Sequence, residues 1–459
     1  MKKVSISLFA MVMLMTGAVD GIRNLPAIAI FGEQLVFFFI AAMFLFLLPT
    51  GLISAELCKQ FKQEGGVYVW AKSAFGGGVA SLVIWLQWIN TMVWFPTSLS
   101  ALIGTVAYLI NPSLVQHPLF LVLLSVSVFW VMTLINLKGI QHSSKIAAIA
   151  SSLGMVVPMC IIIGLSLFWV ILHKPLAITL DYHAVVPPLN SIGTWSSLTA
   201  IMGAFLGIEL ATVHVKKINN ADKLFPRALM IAVVIIVLTM GFGSLGVALV
   251  IPHQSIVIVS GTIQAIKALF VGFHVPWLAD VVGGLLVLGS LGAMINWLIS
   301  PANGLAQAAR GGYLPKRLGH ENRHGVPSNI LILQAIVVSV VSTGFFLLPT
   351  INASYWLLFD LATEAYLLMY VLMFLTAVKV ILRAKTIYLV PGGKVGALVV
   401  SVLGLVGCLI ALVVGFFPPS NINVGSSLHY VLFFGLGVLI MCIPAVGLNI
   451  YKYVTSSKL

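Results

Sequence analysis

Charge is what this sequence lacks most. Asp, Glu, Lys and Arg make up 8% of its 459 residues, against about 25% in a soluble globular protein. A water-soluble chain of this length needs a charged surface around its core, so a cytosolic enzyme, a secreted domain and a disordered tail are excluded. Cysteine is also sparse. Cys58, Cys160, Cys408 and Cys442 stand far apart, with no zinc spacing, redox pair or disulfide framework, and read as structural thiols. No Gly-x-Ser-x-Gly elbow, phosphate loop, His-Glu-x-x-His or nucleotide fingerprint occurs. Enzymatic or ATP-driven activity is therefore not expected, and no cofactor or metal is implied. No linker or low-complexity tract divides the chain.

What the sequence does hold is apolar. Hydrophobic residues account for 60% and mean hydropathy is +1.12. Runs long enough to cross about 30 Å of hydrocarbon recur from end to end. Twelve are read, at 5–31, 34–57, 77–110, 118–137, 146–172, 194–215, 228–251, 277–299, 328–348, 353–378, 395–417 and 428–451. Backbone polar groups must be satisfied internally in lipid, so these runs predict helices and an all-α polytopic membrane protein. The connections 173–193 and 252–276 have room for short re-entrant or surface helices. Lys2-Lys3 before an apolar run resembles a secretory signal. Apolar character resumes after Arg23, however, which predicts a broken first membrane helix instead.

The formal charge of +13 is explained by topology. All Lys and Arg except Arg23, Lys174 and Lys267 fall at alternate loops or termini. This is the positive-inside pattern, which puts both termini in the cytoplasm of a multi-pass protein of the cell (inner) membrane. The partner it implies is the lipid bilayer, not nucleic acid.

Two segments are interrupted. The first reads Thr16-Gly17-Ala18-Val19-Asp20-Gly21-Ile22-Arg23, and the sixth Gly203-Ala204-Phe205-Leu206-Gly207-Ile208-Glu209. Each combines two glycines four apart with an acid in mid-membrane, and they stand five segments apart. Five is odd, so a five-helix repeat returns in inverted topology. Gly-interrupted segments at matching places in two halves point to a transporter binding site, whose half-helix ends and freed carbonyls meet charged groups. Glycines four apart also serve close helix packing. The matched pairs, each with an acid, favour the functional reading.

Charge at the bilayer centre costs about 2.5–3.5 kcal/mol on insertion scales, so each intramembrane ion needs a reason. Asp20 and Arg23 either pair on one helical face or, if the helix is unwound, hold a solute between them. Arg23 would then take a carboxylate and Asp20 an amine or a proton. Glu209 is either a proton carrier or a carboxyl satisfied by the backbone of the break. Asp360 and Glu364, at i, i+4, are spaced to share a proton. Tyr366 and Tyr370 follow at the same spacing, as packing or site residues. The proton-coupling candidates are Asp20, Glu209 and Glu364. Asp280 reads as an interfacial cap and His214 as structural, while Asn90, Trp94 and Asn296 are positions suited to line a cavity.

Several blocks resemble a known family. These are Glu64-Gly65-Gly66-Val67-Tyr68-Val69-Trp70, Gly207-Ile208-Glu209 with Thr212 and His214, and Pro301 with Gly304. Further along come Gly312-Tyr313-Leu314-Pro315, Gly325-Val326-Pro327, Val390-Pro391-Gly392-Gly393-Lys394 and Phe417-Pro418-Pro419-Ser420-Asn421-Ile422. Their order over nearly the whole chain resembles the amino acid–polyamine–organocation (APC) superfamily, and within it most closely the glutamate/GABA antiporters. The resemblance implies a LeuT-like fold of twelve transmembrane helices. Residues 1–172 would form the first inverted repeat (helices 1–5), 173–382 the second (helices 6–10), and 383–459 helices 11–12 with a short tail. It also implies alternating access and exchange of an amino acid for its decarboxylation product or for another amino acid. The solute would be lined by the Gly17–Arg23 stretch, Gly207–Glu209 and the Tyr366/Tyr370 region. Thr16, Gly17, Asp20, Gly21, Arg23, Gly203, Gly207, Ile208, Glu209, Asn296, Tyr366 and Tyr370 are thus the candidate substrate-binding residues.

The chain departs from that pattern at points that bear on the substrate. Acid-resistance glutamate/GABA exchangers have Tyr-Glu-Tyr-Pro where this chain has Arg23-Asn24-Leu25-Pro26, and an apolar residue in place of Asp20. This sequence ends about eight residues past the last apolar run, so their long C-terminal plug is not expected. Some relatives carry a cationic lysine in helix five, where this chain has Ser151, Ser152 and Gly154. That leaves sodium, a proton held elsewhere, or pure exchange. The leading expectation is a secondary amino acid antiporter. The alternatives are a proton- or sodium-coupled symporter and, from another class, a channel or a non-transporting receptor. A channel would need filter loops or ring-forming polar helices, which the sequence lacks.

Overall fold

A computed structural model describes the chain except for residues 1–6, 62–65, 140–143, 180, 189–191, 211, 213–220, 311–314, 384–387 and 457–459. His214 and the Glu64-Gly65 and Gly312–Leu314 parts of the family-like blocks lie outside the described residues. All regular structure in the rest is helical. The reason is the one hydropathy predicts: only a helix satisfies every backbone group within one apolar segment.

The first interrupted segment forms α1 (Leu8–Val19) and α2 (Leu25–Ala29), joined by a 3-10 turn at Ile22–Asn24. It is followed by α3 (Leu35–Ala42), a π-helical turn at Met43–Leu47, and α4 (Leu48–Gln60). Next come α5 (Gly66–Phe75), α6 (Gly77–Ile110), α7 (Pro118–Leu137) and α8 (Ser144–Ile171). The short α9 (Tyr182–Val185) precedes α10 (Ile192–Ala204), the second interrupted segment. The rest are α11 (Ala221–Val250), α12 (Gly261–Gly272), α13 (Leu278–Arg310) and α14 (Ser328–Ser342), then α15 (Ile351–Arg383), α16 (Gly393–Val414) and α17 (Ser427–Ser456).

Among the described residues ten helical stretches are long and apolar enough to cross a membrane. The α1/α2 and α10 segments fall outside that count because their breaks cut them short. Both long connections hold a helix: 173–193 contains α9, and 252–276 contains α12, whose face is largely buried. The apolar run read at 277–299 continues as helix through Pro301 to Arg310.

The central helix is α15. From Ile351 to Met369 only Asn352 and Leu368 escape full burial, the pattern of a helix surrounded by others. In contrast, α17 exposes Leu428, Leu432, Leu436, Leu439, Ile440 and Ile443 on one side. Large apolar side chains that face outward are what a lipid solvent selects.

Small residues let the helices close on one another, since lipid supplies no hydrophobic drive between them. A Cβ at Gly154 of α8 would lie 2.4 Å from both the Gly289 Cα and the Leu285 carbonyl of α13. The helix-five position where some relatives carry lysine therefore lies beside a point of backbone contact here. At Gly407 of α16, a Cβ would come 2.4 Å from the Leu45 carbonyl in the π turn.

Candidate functional site

Each interruption has a local cause. The last helical bond of α1 runs from the Asp20 N–H to the Thr16 carbonyl at 2.7 Å. Gly21 then turns to extended backbone, φ −126 and ψ 107, before the 3-10 turn. In the second segment α10 ends at Ala204, and Gly207 takes φ +108 ahead of a 3-10 turn at 208–210. That left-handed backbone is open to glycine and strained for other residues.

The two breaks meet. The position a Cβ would take at Gly207 is 3.1 Å from the Ala18 carbonyl of α1. The Gly207 N–H donates to the Tyr370 hydroxyl at 3.0 Å. Tyr370 in turn donates to one carboxyl oxygen of Glu209, and Tyr366 donates to the other at 2.6 Å. Gln87 of α6 interacts electrostatically with this carboxyl. Glu209 is 1% exposed, so these donors replace the water it has lost. The carboxyl is satisfied chiefly by side chains of α15 and not by the backbone of the break.

The acid and base of the first break go separate ways. No ion pair joins Asp20 to Arg23; among the described residues the only ion pair is Arg310–Glu321, on an exposed connection. Asp20 turns to α11, accepting from the Thr239 hydroxyl at 2.7 Å, while its other oxygen is buried without a partner. The Arg23 guanidinium lies over the Trp94 ring of α6, 4.2 Å from its centroid. The extended Gly21 points the two side chains apart, which an unbroken helix would not do.

Arg23 and Trp94 line a cavity with Gly21, Ser98, Thr105, Thr262 and Ser290, and with Met155, Ile258 and Met294. It holds about 60 Å³, room for roughly four water molecules. Gln87, Asn90, Trp94 and Ser98 recur along α6 at three- and four-residue steps, so they share one face. That face connects the Glu209 cluster to the Arg23 cavity. Asn90 also ties it to α15 through the Ala362 carbonyl at 2.6 Å.

The other expected site residues are distributed unevenly. Ile208 is fully buried, and the Thr16 hydroxyl is buried without a partner. Gly17 is exposed with open space in front of it. Gly203 faces α15, where a Cβ would come 2.4 Å from the Thr363 hydroxyl, the close packing that small residues allow. Asn296 lies within α13, and its side chain lies outside the described residues. Glu364 and Asp360 point away from both breaks. Asp360 accepts from Tyr430 of α17 at 3.1 Å, and Glu364 faces Gly415 at the end of α16.

Residues that the sequence alone did not single out include Thr239, Gln87, Ser98, Thr262 and Tyr355. Their only available signal was a polar residue at a helical step from another one. Other Ser and Thr in apolar helices give the same signal by bonding their own backbone, as Thr91 and Ser100 do.

Comparison with known proteins supplies the context for this geometry. The profile of the amino acid permease family matches residues 6–440. An uncharacterized transporter of Legionella pneumophila is 36% identical over 427 residues, 92% of this chain and 91% of that protein. A glutamate/gamma-aminobutyrate antiporter of Lactococcus lactis is 28% identical over 433 residues, 92% and 86% of the two chains. A cadaverine/lysine antiporter of Escherichia coli is 25% identical over 375 residues, 78% of each. With its membrane-long helices and a match that covers nearly its whole length, this chain belongs to the amino acid permease family of the APC superfamily.

Proposed function

We propose that this protein is a secondary active amino acid transporter, an antiporter that exchanges one amino acid for another or for an amine by alternating access. The observation that carries the reading is the meeting of two helix breaks in mid-bundle, Gly207 against the Ala18 carbonyl, beside a cavity lined by a half-buried cation, Arg23. Broken helices that face each other leave backbone groups free for a solute, and they can re-pack around it. The names of the antiporter relatives support the same reading.

In this reading the ten long helices and two broken ones are twelve spans, with both termini in the cytoplasm of the inner membrane. Residues 1–172 and 173–382 form the inverted repeats, and 383–459 the appended pair. The solute lies between the Thr16–Arg23 stretch and Gly203–Glu209, bordered by Asn296, Tyr366 and Tyr370. Glu209 holds the second break in shape through its tyrosines. A second reading, proton- or sodium-coupled import, is favoured by one feature: the Asp20 oxygen that is buried without a partner beside Thr239.

Reconstituted vesicles separate the two. An antiporter takes up labelled amino acid only when preloaded with internal solute, with or without an ion gradient. Uptake into empty vesicles that follows a proton or sodium gradient would replace exchange by symport. Loss of counterflow in Glu209→Gln, with the protein still folded, is the expected result at the second break.

A further inference from the structure

Asp360 and Glu364 lie outside both breaks and do not line the Arg23 cavity, yet each is 1% exposed. They stand one turn apart on α15 and interact electrostatically with each other. Their oxygens converge on the space in front of Gly415, at the end of α16. The position a Cβ would take there touches Glu364 Oε1 and is 3.4 Å from Asp360 Oδ1. Glycine at 415 keeps that space open.

Few groups are left to answer two buried carboxyls. Tyr430 of α17 donates to Asp360 Oδ2 at 3.1 Å. The Gly415 N–H and the Thr199 hydroxyl both donate to the Ala411 carbonyl, and the Trp356 indole N–H interacts with Tyr430. Glu364 Oε1 is buried with no partner. Nor is a cation at hand among the described residues. The neighbouring α6 and α10 contain no Lys, Arg or His. Lys394 of α16 donates to the Leu382 carbonyl at the far end of that helix, His429 of α17 is exposed, and neither acid forms an ion pair.

Two ionised carboxylates this close, in a medium that screens little, repel each other and lack the solvation they had in water. One proton removes both faults. It takes away one charge, and it turns a carboxylate oxygen into a donor from which the other carboxylate can accept. We propose that Asp360 and Glu364 form a proton-binding site that holds one proton between them, apart from the solute cavity. The site faces α16 and α17, while Tyr366 and Tyr370 reach Glu209 from the next turns of α15. A proton is thus bound on the helix that holds the second break, without taking the place of a solute. The proposal is independent of the carrier reading, since its test involves no transport.

The test is infrared spectroscopy of the purified full-length protein at neutral pH, reading the C=O stretch of protonated carboxyls. Glu364→Gln is expected to remove the intensity of one carboxyl, because Asp360 then keeps its Tyr430 donor and gains an amide donor. Adding Asp360→Asn to that variant should remove no more. A band undiminished in Glu364→Gln would overturn the site. So would a double variant that loses the intensity of two carboxyls, since each acid would then hold a proton of its own. Thermal stabilisation by sodium that Glu364→Gln abolishes, with the band undiminished, would overturn it in favour of a sodium ion. Tyr430→Phe keeps both acids and takes away the Asp360 donor, so it should shift the frequency of the same band. That variant serves if Glu364→Gln fails to fold, and an unshifted band would then sink the proposal.

Discussion

At the first break, Asp20 keeps one oxygen without a partner, and Arg23 lies over the Trp94 ring with no carboxylate partner among the described residues. At the second, both oxygens of Glu209 take tyrosine hydroxyls, and the freed Gly207 N–H ends on Tyr370. Their backbones differ in the same sense. Gly21 has extended angles that any residue adopts, whereas Gly207 has φ +108 and a carbonyl 3.1 Å from where a side chain would begin. Unpaired groups are free to meet a solute, while paired and strained ones hold a shape. In the proposed reading, the first break would offer its open groups to a solute, while the paired groups of the second would hold their shape.

Substitutions can break or sharpen that contrast, and thermal unfolding in detergent is the common measurement. The largest effect is expected at Gly207→Ala, where both the backbone angle and the Ala18 carbonyl oppose a Cβ. A loss of about 3 kcal/mol follows, and wild-type stability would mean that the break is not fixed as described. Tyr370→Phe comes next, at about 2 kcal/mol, because it strands the Gly207 N–H and removes a donor from Glu209. Tyr366→Phe removes a single donor and should cost about 1 kcal/mol.

At the first break the signs change. Arg23→Met removes a half-buried cation that has no ionic partner among the described residues, so stability should stay within about 0.5 kcal/mol or rise. A large loss would reveal a partner for Arg23 in the folded protein. Gly21→Ala should be the mildest, below about 0.5 kcal/mol. Its nearest obstacle is the Asn24 side-chain amide, 3.2 Å from a Cβ, which can move aside.

Much of this architecture was legible in the residues. The runs at 77–110 and 118–137 coincide with α6 and α7, because hydropathy and backbone pairing act within one segment. The breaks at Asp20–Arg23 and Gly203–Glu209 were visible for the same reason: glycines and an acid in an apolar run mark where a helix gives way. Partner choice was not legible. Asp20 and Arg23 were as well placed to pair as to part, and only the extended Gly21 decides between these. Likewise the i, i+4 pairs Asp360/Glu364 and Tyr366/Tyr370 read as one functional stripe on α15. In the fold they face different helices, the acids toward α16 and α17 and the tyrosines toward Glu209.

By itself the sequence determined that this chain lives in a bilayer, that its segments are helices and where two of them break. Each of these follows from free energies summed over neighbouring residues, chiefly apolar transfer and the satisfaction of local backbone groups. Only the tertiary structure decided which charges stay unpaired, since Glu209 meets Tyr370 across 161 residues and Asp20 meets Thr239 across 219. Contacts at such separations depend on how whole helices pack, and no local pattern encodes that.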